Sequence, residues 1–400
     1  MTGPALIAAL EGGGTTFLLT VALLRHHHDV DNNLPNTDFE ILYKESIHTT
    51  TPSETLEKAS QFFRKHCPGQ GYDALGICTF GPVGVNPNLP SYGKILPGSP
   101  KKEWRNVDIL NPILSACSSK DGSRKPVFKV DTDVNAPALA EYTYRCEILK
   151  QEINSLAYIT VGTGVGVGLV VNGKPVHGMM HPEGGHVPIV PLEMIEGFAY
   201  SWGANCPFNG KNTVEGTASS VALTELLGQE CDSNSGLQRD SLKNLDDDHV
   251  IWDHAANSLA CLCVTLCLVT SVEGIVFGGG VMNRKVLFDK IRRRTKEILN
   301  GYLDLSQVNT SEGLEEYICP SVWCDTEVGP GIVGALVLAK FALQNRSEKK
   351  ETPLENGCDP LPNMKSETKK MCNFKFLSGV MVGSALGMVL SSMCLRVIRK

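Results

Sequence analysis

Five residues a third of the way along the chain are the first to suggest chemistry: Asp131-Thr132-Asp133-Val134-Asn135. They follow an apolar run at 127–130 and precede a stretch, 136–149, that reads as helix. Ligands of open α/β sheets collect at strand carboxyl ends. A carboxylate there could take the proton of a hydroxyl as it attacks a phosphoryl group, which makes Asp133 a candidate base. The plainer reading is that Asp131 or Asp133 caps the following helix. Further on, His181-Pro182-Glu183-Gly184-Gly185-His186 gathers two imidazoles and a carboxylate in six residues. These suit sugar hydroxyls, or a polar loop with no ligand; with Cys206 they fall short of the four ligands that zinc requires. Three glycine clusters stand apart along the chain: Glu11-Gly12-Gly13-Gly14-Thr15-Thr16, then 162–168, then Gly278-Gly279-Gly280. Glycines let backbone N–H groups approach an anion unobstructed, and Thr15 and Thr163 add hydroxyl donors. One such turn is commonly just a hairpin; two equivalent turns and a third cluster before a helix point to phosphate. His26-His27-His28-Asp29 reads as a solvated loop rather than a metal patch.

The elements needed to position these residues follow from pattern. Residues 5–10 and 17–23 read as strands around the first glycine turn. Thr51-Pro52-Ser53-Glu54 is a capping box with proline at the first helical position, opening a helix to about His66. Strands are expected at 72–78, 127–130 and 156–160, a glycine-rich hairpin over 162–168 and a strand to Val171. A long apolar helix at 253–271, a strand at 274–277 and a last helix at 332–343 complete the second half. The acidic insert 231–248 reads as loop. Strand, glycine turn, strand thus occurs twice, which predicts two α/β halves with a nucleotide in the cleft between them.

The chain has 400 residues, 42% hydrophobic and 20% charged, with a formal charge of −6, so no basic face for nucleic acid is implied. Its 14 cysteines are scattered, several in apolar runs, and read as reduced thiols. Residues 4–10 lack the basic flank of a signal peptide. By contrast, 376–395 is 20 residues without a charge, bounded by Lys369, Lys370 and Lys375 before and Arg396, Arg399 and Lys400 after. That length matches a bilayer core. Gly379, Gly383 and Gly387 lie on one helical stripe of the kind that pairs membrane helices. A buried terminal helix is the alternative. The proline-bearing stretch 345–375 reads as a linker, so the expectation is a tail anchor with the preceding domain facing the cytosol, at the mitochondrial outer membrane or endoplasmic reticulum.

Together these segments resemble the ROK family of sugar kinases, and its fructokinase branch, over residues 5–342. The resemblance rests on the first glycine turn; on Phe80-Gly81-Pro82, Asn86-Pro87, Tyr92-Gly93, Pro100-Lys101 and Trp104-Arg105-Asn106-Val107-Asp108; on the 131–141 segment; and on 162–168, 181–186 and 277–282, in the family's order. It implies an actin-like (ribonuclease H-like) two-lobed α/β fold, with a small lobe of 1–134 joined by the helix at 331–343 and a large lobe of 135–330. It implies transfer from Mg2+-bound ATP to fructose, with Asp133 as base. Asn106, Asn135, Glu183, His186 and Glu215 would bind sugar. Gly13, Gly14, Thr15, Thr163, Gly164, Gly279 and Gly280 would bind ATP. The family is often dimeric, so a homodimer is among the expected partners.

Three departures stand out. Thr16 occupies the position where the family's turn usually has lysine. The zinc loop, 206–213, keeps only His186 and Cys206 as candidate ligands, so no structural zinc is expected. The apolar tail has no counterpart in the usual pattern, and no DNA-binding segment precedes Ala5. Rival readings are a kinase for glucose or mannose, and a membrane-tethered sugar sensor with little catalysis.

Overall fold

The computed structural model describes residues 4–25, 37–192, 212–230 and 239–351. In chain order the elements are β1 (Ala5–Gly12), β2 (Thr16–Leu24), β3 (Phe39–His48), α1 (Pro52–His66), β4 (Ala74–Thr79), α2 (Leu110–Ala116), β5 (Val127–Thr132), α3 (Asn135–Glu147), β6 (Ser155–Val161), β7 (Val165–Val171) and β8 (Lys174–Pro175). Then come α4 (Val214–Ala218), α5 (Ser220–Glu230), α6 (Val250–Thr270), β9 (Ile275–Gly278), α7 (Val286–Leu299), α8 (Ser306–Asn309), α9 (Ser311–Tyr317), β10 (Ile318–Pro320) and α10 (Gly329–Glu351).

Two five-stranded sheets result, ordered β3-β2-β1-β4-β5 and β10-β9-β6-β7-β8. In the first, β1 runs antiparallel to β2 and parallel to β4, which is parallel to β5. In the second, β6 bears the same relations to β7 and β9, with β10 continuing parallel. This is one topology used twice: the two α/β halves that the paired glycine turns predict, in the actin-like arrangement that the family resemblance implies. Helices α3 and α10 pack against each other, α10 on β1, β4 and β5, and α3 on β6 and β7. One apolar cluster, including Ala9, Cys78, Leu139, Tyr158, Leu336 and Ala339, therefore joins both sheets. Gly76 is required there: a β-carbon would overlap the Ala335 carbonyl of α10. Residues up to Thr352 form one compact unit.

Several expectations need correction. Strand β3 was not anticipated, because its middle is exposed and polar. Strand β5 runs on to Thr132, since Asp131 and Thr132 are buried although polar. The second hairpin turn is only 162–164; Gly166 and Gly168 belong to β7, where a β-carbon at Gly168 would strike the Val134 carbonyl. Part of the insert read as loop is a 3-10 helix, Arg239–Asn244. Helix α10 runs through Asn345 to Glu351, into the expected linker, because Gln, Arg, Glu and Lys sustain a helix until Pro353 approaches. The rest of that linker and the apolar run 376–395 lie outside the described residues. Among the described residues α6 is long and apolar enough to span a bilayer, but 72% of its apolar window is buried in the core.

Candidate active site

The site gathers at the carboxyl ends of β1, β4 and β5. The first glycine turn is tight, with Gly13 N donating to Thr16 O at 3.0 Å. Thr49, just past β3, braces it: its N–H donates to Thr15 O at 2.9 Å and its hydroxyl to Gly13 O at 2.8 Å. Gly14 and Thr15 are exposed at the tip.

Asp133 follows β5, its N–H donating to Thr79 O of β4 at 2.9 Å. Burial raises its carboxyl to about 6. The cap of α3 is not Asp133: Asn135 N donates to Thr132 Oγ1 at 3.0 Å. Asp131 has another task. Its buried carboxylate accepts from Thr132 N at 2.8 Å and Asn135 Nδ2 at 3.0 Å, and pairs with His177 Nε2 at 2.9 Å. Asn135 Oδ1 in turn accepts from Leu169 N of β7 at 3.1 Å, and the residue is fully buried. Asn135 thus holds β5 to β7 from the first turn of α3. This frame fixes the peptide that carries Asp133.

Glu11, next to last in β1, sets its carboxyl against Gly331, at the start of α10, where any side chain would collide with it. Burial first, then the charge of Asp133, raises Glu11 to about 8, opposed by a hydrogen bond with the Ile332 backbone. Glu183 is raised to about 7 by burial, then by the charges of Glu215 and Asp133. Glu11, Asp133 and Glu183 therefore share one desolvated neighbourhood, which favours protonated forms or a bound cation.

His186 Nε2 lies 3.9 Å from Glu183 Oε2, on a 3-10 turn that begins at Gly184 and rests against β7. Burial pushes this imidazole below its ordinary range. The second imidazole of the motif is a strut: His181 Nε2 accepts from Val83 N at 3.2 Å, and Nδ1 faces Pro182 O at 3.3 Å. Glu215, in the first turn of α4, accepts from Val165 N at 2.9 Å. That seats its carboxylate against Gly164 in the second glycine hairpin, so the expected sugar ligand and an expected ATP contact are neighbours. Thr163 stands on the same turn, held where Ser220 N donates to Gly162 O at 2.8 Å. Gly279 adopts φ 91° beneath Val161, while the space over Gly280 is open. Asn106 is exposed with φ 63°, its N–H on Ile95 O at 2.8 Å, and no contact among the described residues ties it to the cluster of carboxyls. Cys206 lies outside the described residues.

Sequence reasoning placed Glu11 and Lys101 in motifs without giving either a role, and passed over His177. Glu11 carried a signal, a lone charge ending the apolar strand 5–10.

A duplicated sheet with paired glycine hairpins and a buried carboxylate at a strand end is an arrangement suited to phosphoryl transfer. Residues 27–340 match the family model described as the ROK family, and the chain belongs to that family. It is 33% identical over 342 residues to a fructokinase of Zymomonas mobilis, covering 84% of this chain and 97% of that protein. A fructokinase of Streptococcus mutans is 32% identical over 337 residues, with the same coverage of both. Among solved structures, a ROK family glucokinase from Streptomyces griseus in complex with glucose and AMPPNP superposes with a TM-score of 0.57 at 19% identity, covering 84% of this chain and 99% of that one.

Proposed function

We propose that the protein transfers the γ-phosphoryl group of ATP to a hydroxyl of fructose, with Asp133 as general base. It is a ROK family sugar kinase, an ATP-dependent hexose kinase by its kinship and fold. Fructose is favoured by the fructokinases among its relatives. The observation that carries the reading is Asp133 itself: a carboxylate raised to about 6, at a strand end, within electrostatic reach of Glu11 and Glu183. A base tuned toward neutral pH is efficient. Asp133 takes the hydroxyl proton as the sugar oxygen bonds to the γ-phosphorus. The bond from that phosphorus to the β–γ bridging oxygen breaks, and ADP leaves.

Glu183, His186 and Glu215 bind the other hydroxyls. Glu183, raised to about 7, both donates and accepts near neutral pH. Gly13, Gly14, Thr15, Thr163 and Gly164 line the phosphates, and Gly279 and Gly280 the adenosine. The open space over Gly162 and Gly280 fits a nucleotide there. Magnesium suits Glu11, whose desolvated carboxyl has no ion pair among the described residues, and would screen the phosphates. The apolar run 376–395 supports tethering of the enzyme to a cytosol-facing membrane surface.

The test is ADP release by the purified full chain with Mg2+ and ATP against fructose, glucose and mannose. Selective turnover of fructose is expected. Selectivity for glucose or mannose overturns the substrate. Sugar binding without sugar-dependent ADP release, in protein that binds ATP, overturns the enzyme and leaves a sensor.

A further inference from the structure

The active-site cleft carries four carboxyls, Glu11, Asp133, Glu183 and Glu215, yet it must admit a polyanion. The first glycine turn brings no cation of its own: residues 11–16 are one glutamate, three glycines and two threonines. A cation arrives from elsewhere in the chain. A β-carbon built on Gly14 would stand 3.3 Å from Lys101 Cε and 4.0 Å from its Nζ. The ammonium therefore lies over the open side of the turn. Lys101 forms no ion pair among the described residues; its Nζ sits 5.6 Å from the centre of the Phe80 ring.

Its backbone is fixed. Lys101 N donates to Ser99 Oγ at 3.4 Å, and Lys101 O accepts from Trp104 N at 3.0 Å. Trp104 is buried, with ring centroids 5.4 Å from both Phe17 and Phe80, and its indole N–H donates to Thr50 O at 3.2 Å. Phe17 is the second residue of β2, just after the glycine turn, and Thr50 follows the threonine that braces it. One tryptophan thus locks the segment bearing Lys101 to both sides of the turn. An ammonium held without a counter-charge over exposed backbone donors is a phosphate-binding arrangement.

We propose that Lys101 is the phosphate-binding cation of this turn, contacting the β- and γ-phosphates of ATP and standing in for the cation that Thr16 does not supply. This rests on the kinase reading and deepens it. A hydrogen bond to a charged group is lost when lysine becomes methionine, so ATP binding should weaken roughly ten- to a hundredfold. AMP, which has neither phosphate, should be unaffected.

The experiment is calorimetric binding of ATP, ADP and AMP, with Mg2+, to the full chain and to Lys101→Met and Lys101→Arg, alongside melting curves. The expected result is selective loss of ATP and ADP affinity in Lys101→Met, AMP affinity within about twofold of the parent, a large part of the loss recovered in Lys101→Arg, and unchanged melting. Equal loss for AMP, or unchanged ATP affinity, overturns the proposal. If the parent and Lys101→Met differ as expected but no sugar is turned over, the kinase reading falls while the lysine's phosphate contact stands.

Discussion

Replacing Gly164 by alanine should damage sugar handling, although the residue belongs to a turn expected to hold ATP. Gly164 is not in the left-handed region, so alanine meets no backbone strain there. Its β-carbon would come 2.5 Å from Glu215 Oε2. Ordinary contact requires the carboxylate to retreat by about 1 Å, and a displacement of that order at a reacting centre can cost roughly a hundredfold in rate. Because the obstacle is the end of a flexible side chain, folding should survive, with melting altered by no more than the effect of about 1 kcal/mol. The retreat also breaks the 2.9 Å bond from Val165 N. The assay is coupled ADP release with fructose varied at saturating ATP, beside ATP binding measured without sugar. Fructose kcat/KM should fall by about two orders of magnitude, with ATP affinity changed less than about threefold. Gly162→Ala is the contrast: nothing lies within 4 Å of its β-carbon, so fructose kinetics should hold and only ATP binding should suffer. If Gly164→Ala keeps its fructose kcat/KM and loses ATP affinity instead, Glu215 does not hold the sugar from this position.

Asp133→Asn should lower kcat by roughly 10²- to 10⁴-fold while fructose still binds, read by turnover and by calorimetry. The parent's kcat/KM should fall on the acid side with a midpoint near 6, as the base is protonated; a flat profile from about pH 5 to 8 would contradict the assignment. The same shift has a sign for stability. A carboxyl raised from 3.8 to about 6 by burial is disfavoured in its charged form by folding, so the contribution of Asp133 to stability is greatest below 3.8 and is lost as pH rises through about 6. Asp133→Asn should therefore melt higher than the parent at pH 8, by the equivalent of about 3 kcal/mol, and not at about pH 3.5. For the tail, full-length chain should pellet with membranes and resist carbonate, while a chain ending at Glu351 stays in the supernatant. Equal partition of the two would remove the anchor; a cut at Gln344 is a poorer control because it severs α10.

Much of the fold is legible because its punctuation is local. The glycine turns, the Thr51 cap and the apolar runs each announce an element within a few residues. What escapes is set by distance or by neighbours. Edge strand β3 shows little alternation because solvent covers much of it. Asp131 and Thr132 look like loop residues but extend β5, their polarity answered by His177 and Asn135, the former 46 positions away. The bonds of Asn135 to Asp131 and to the β7 backbone, the latter 34 positions away, are not visible in its neighbours either. Glu215 reaches the second glycine hairpin across 50 positions, at Val165, and meets it only through α4 packing on the second sheet. Lys101 was visible within a motif, but nothing local says that it reaches Gly14; that needs Trp104 wedged between Phe17 and Phe80.

Helix α10 closes the first sheet from the far end of the chain, pressing on β1, β4 and β5 and supplying the glycine seat for Glu11. On the ribosome this has a consequence in time. The strands of that sheet are made early, but the helix that covers their apolar face follows roughly 200 residues later, which at typical synthesis speeds is on the order of 10–40 s. Through that interval the apolar face that Ala9, Ala74 and Cys78 share with α10 has no helix to cover it.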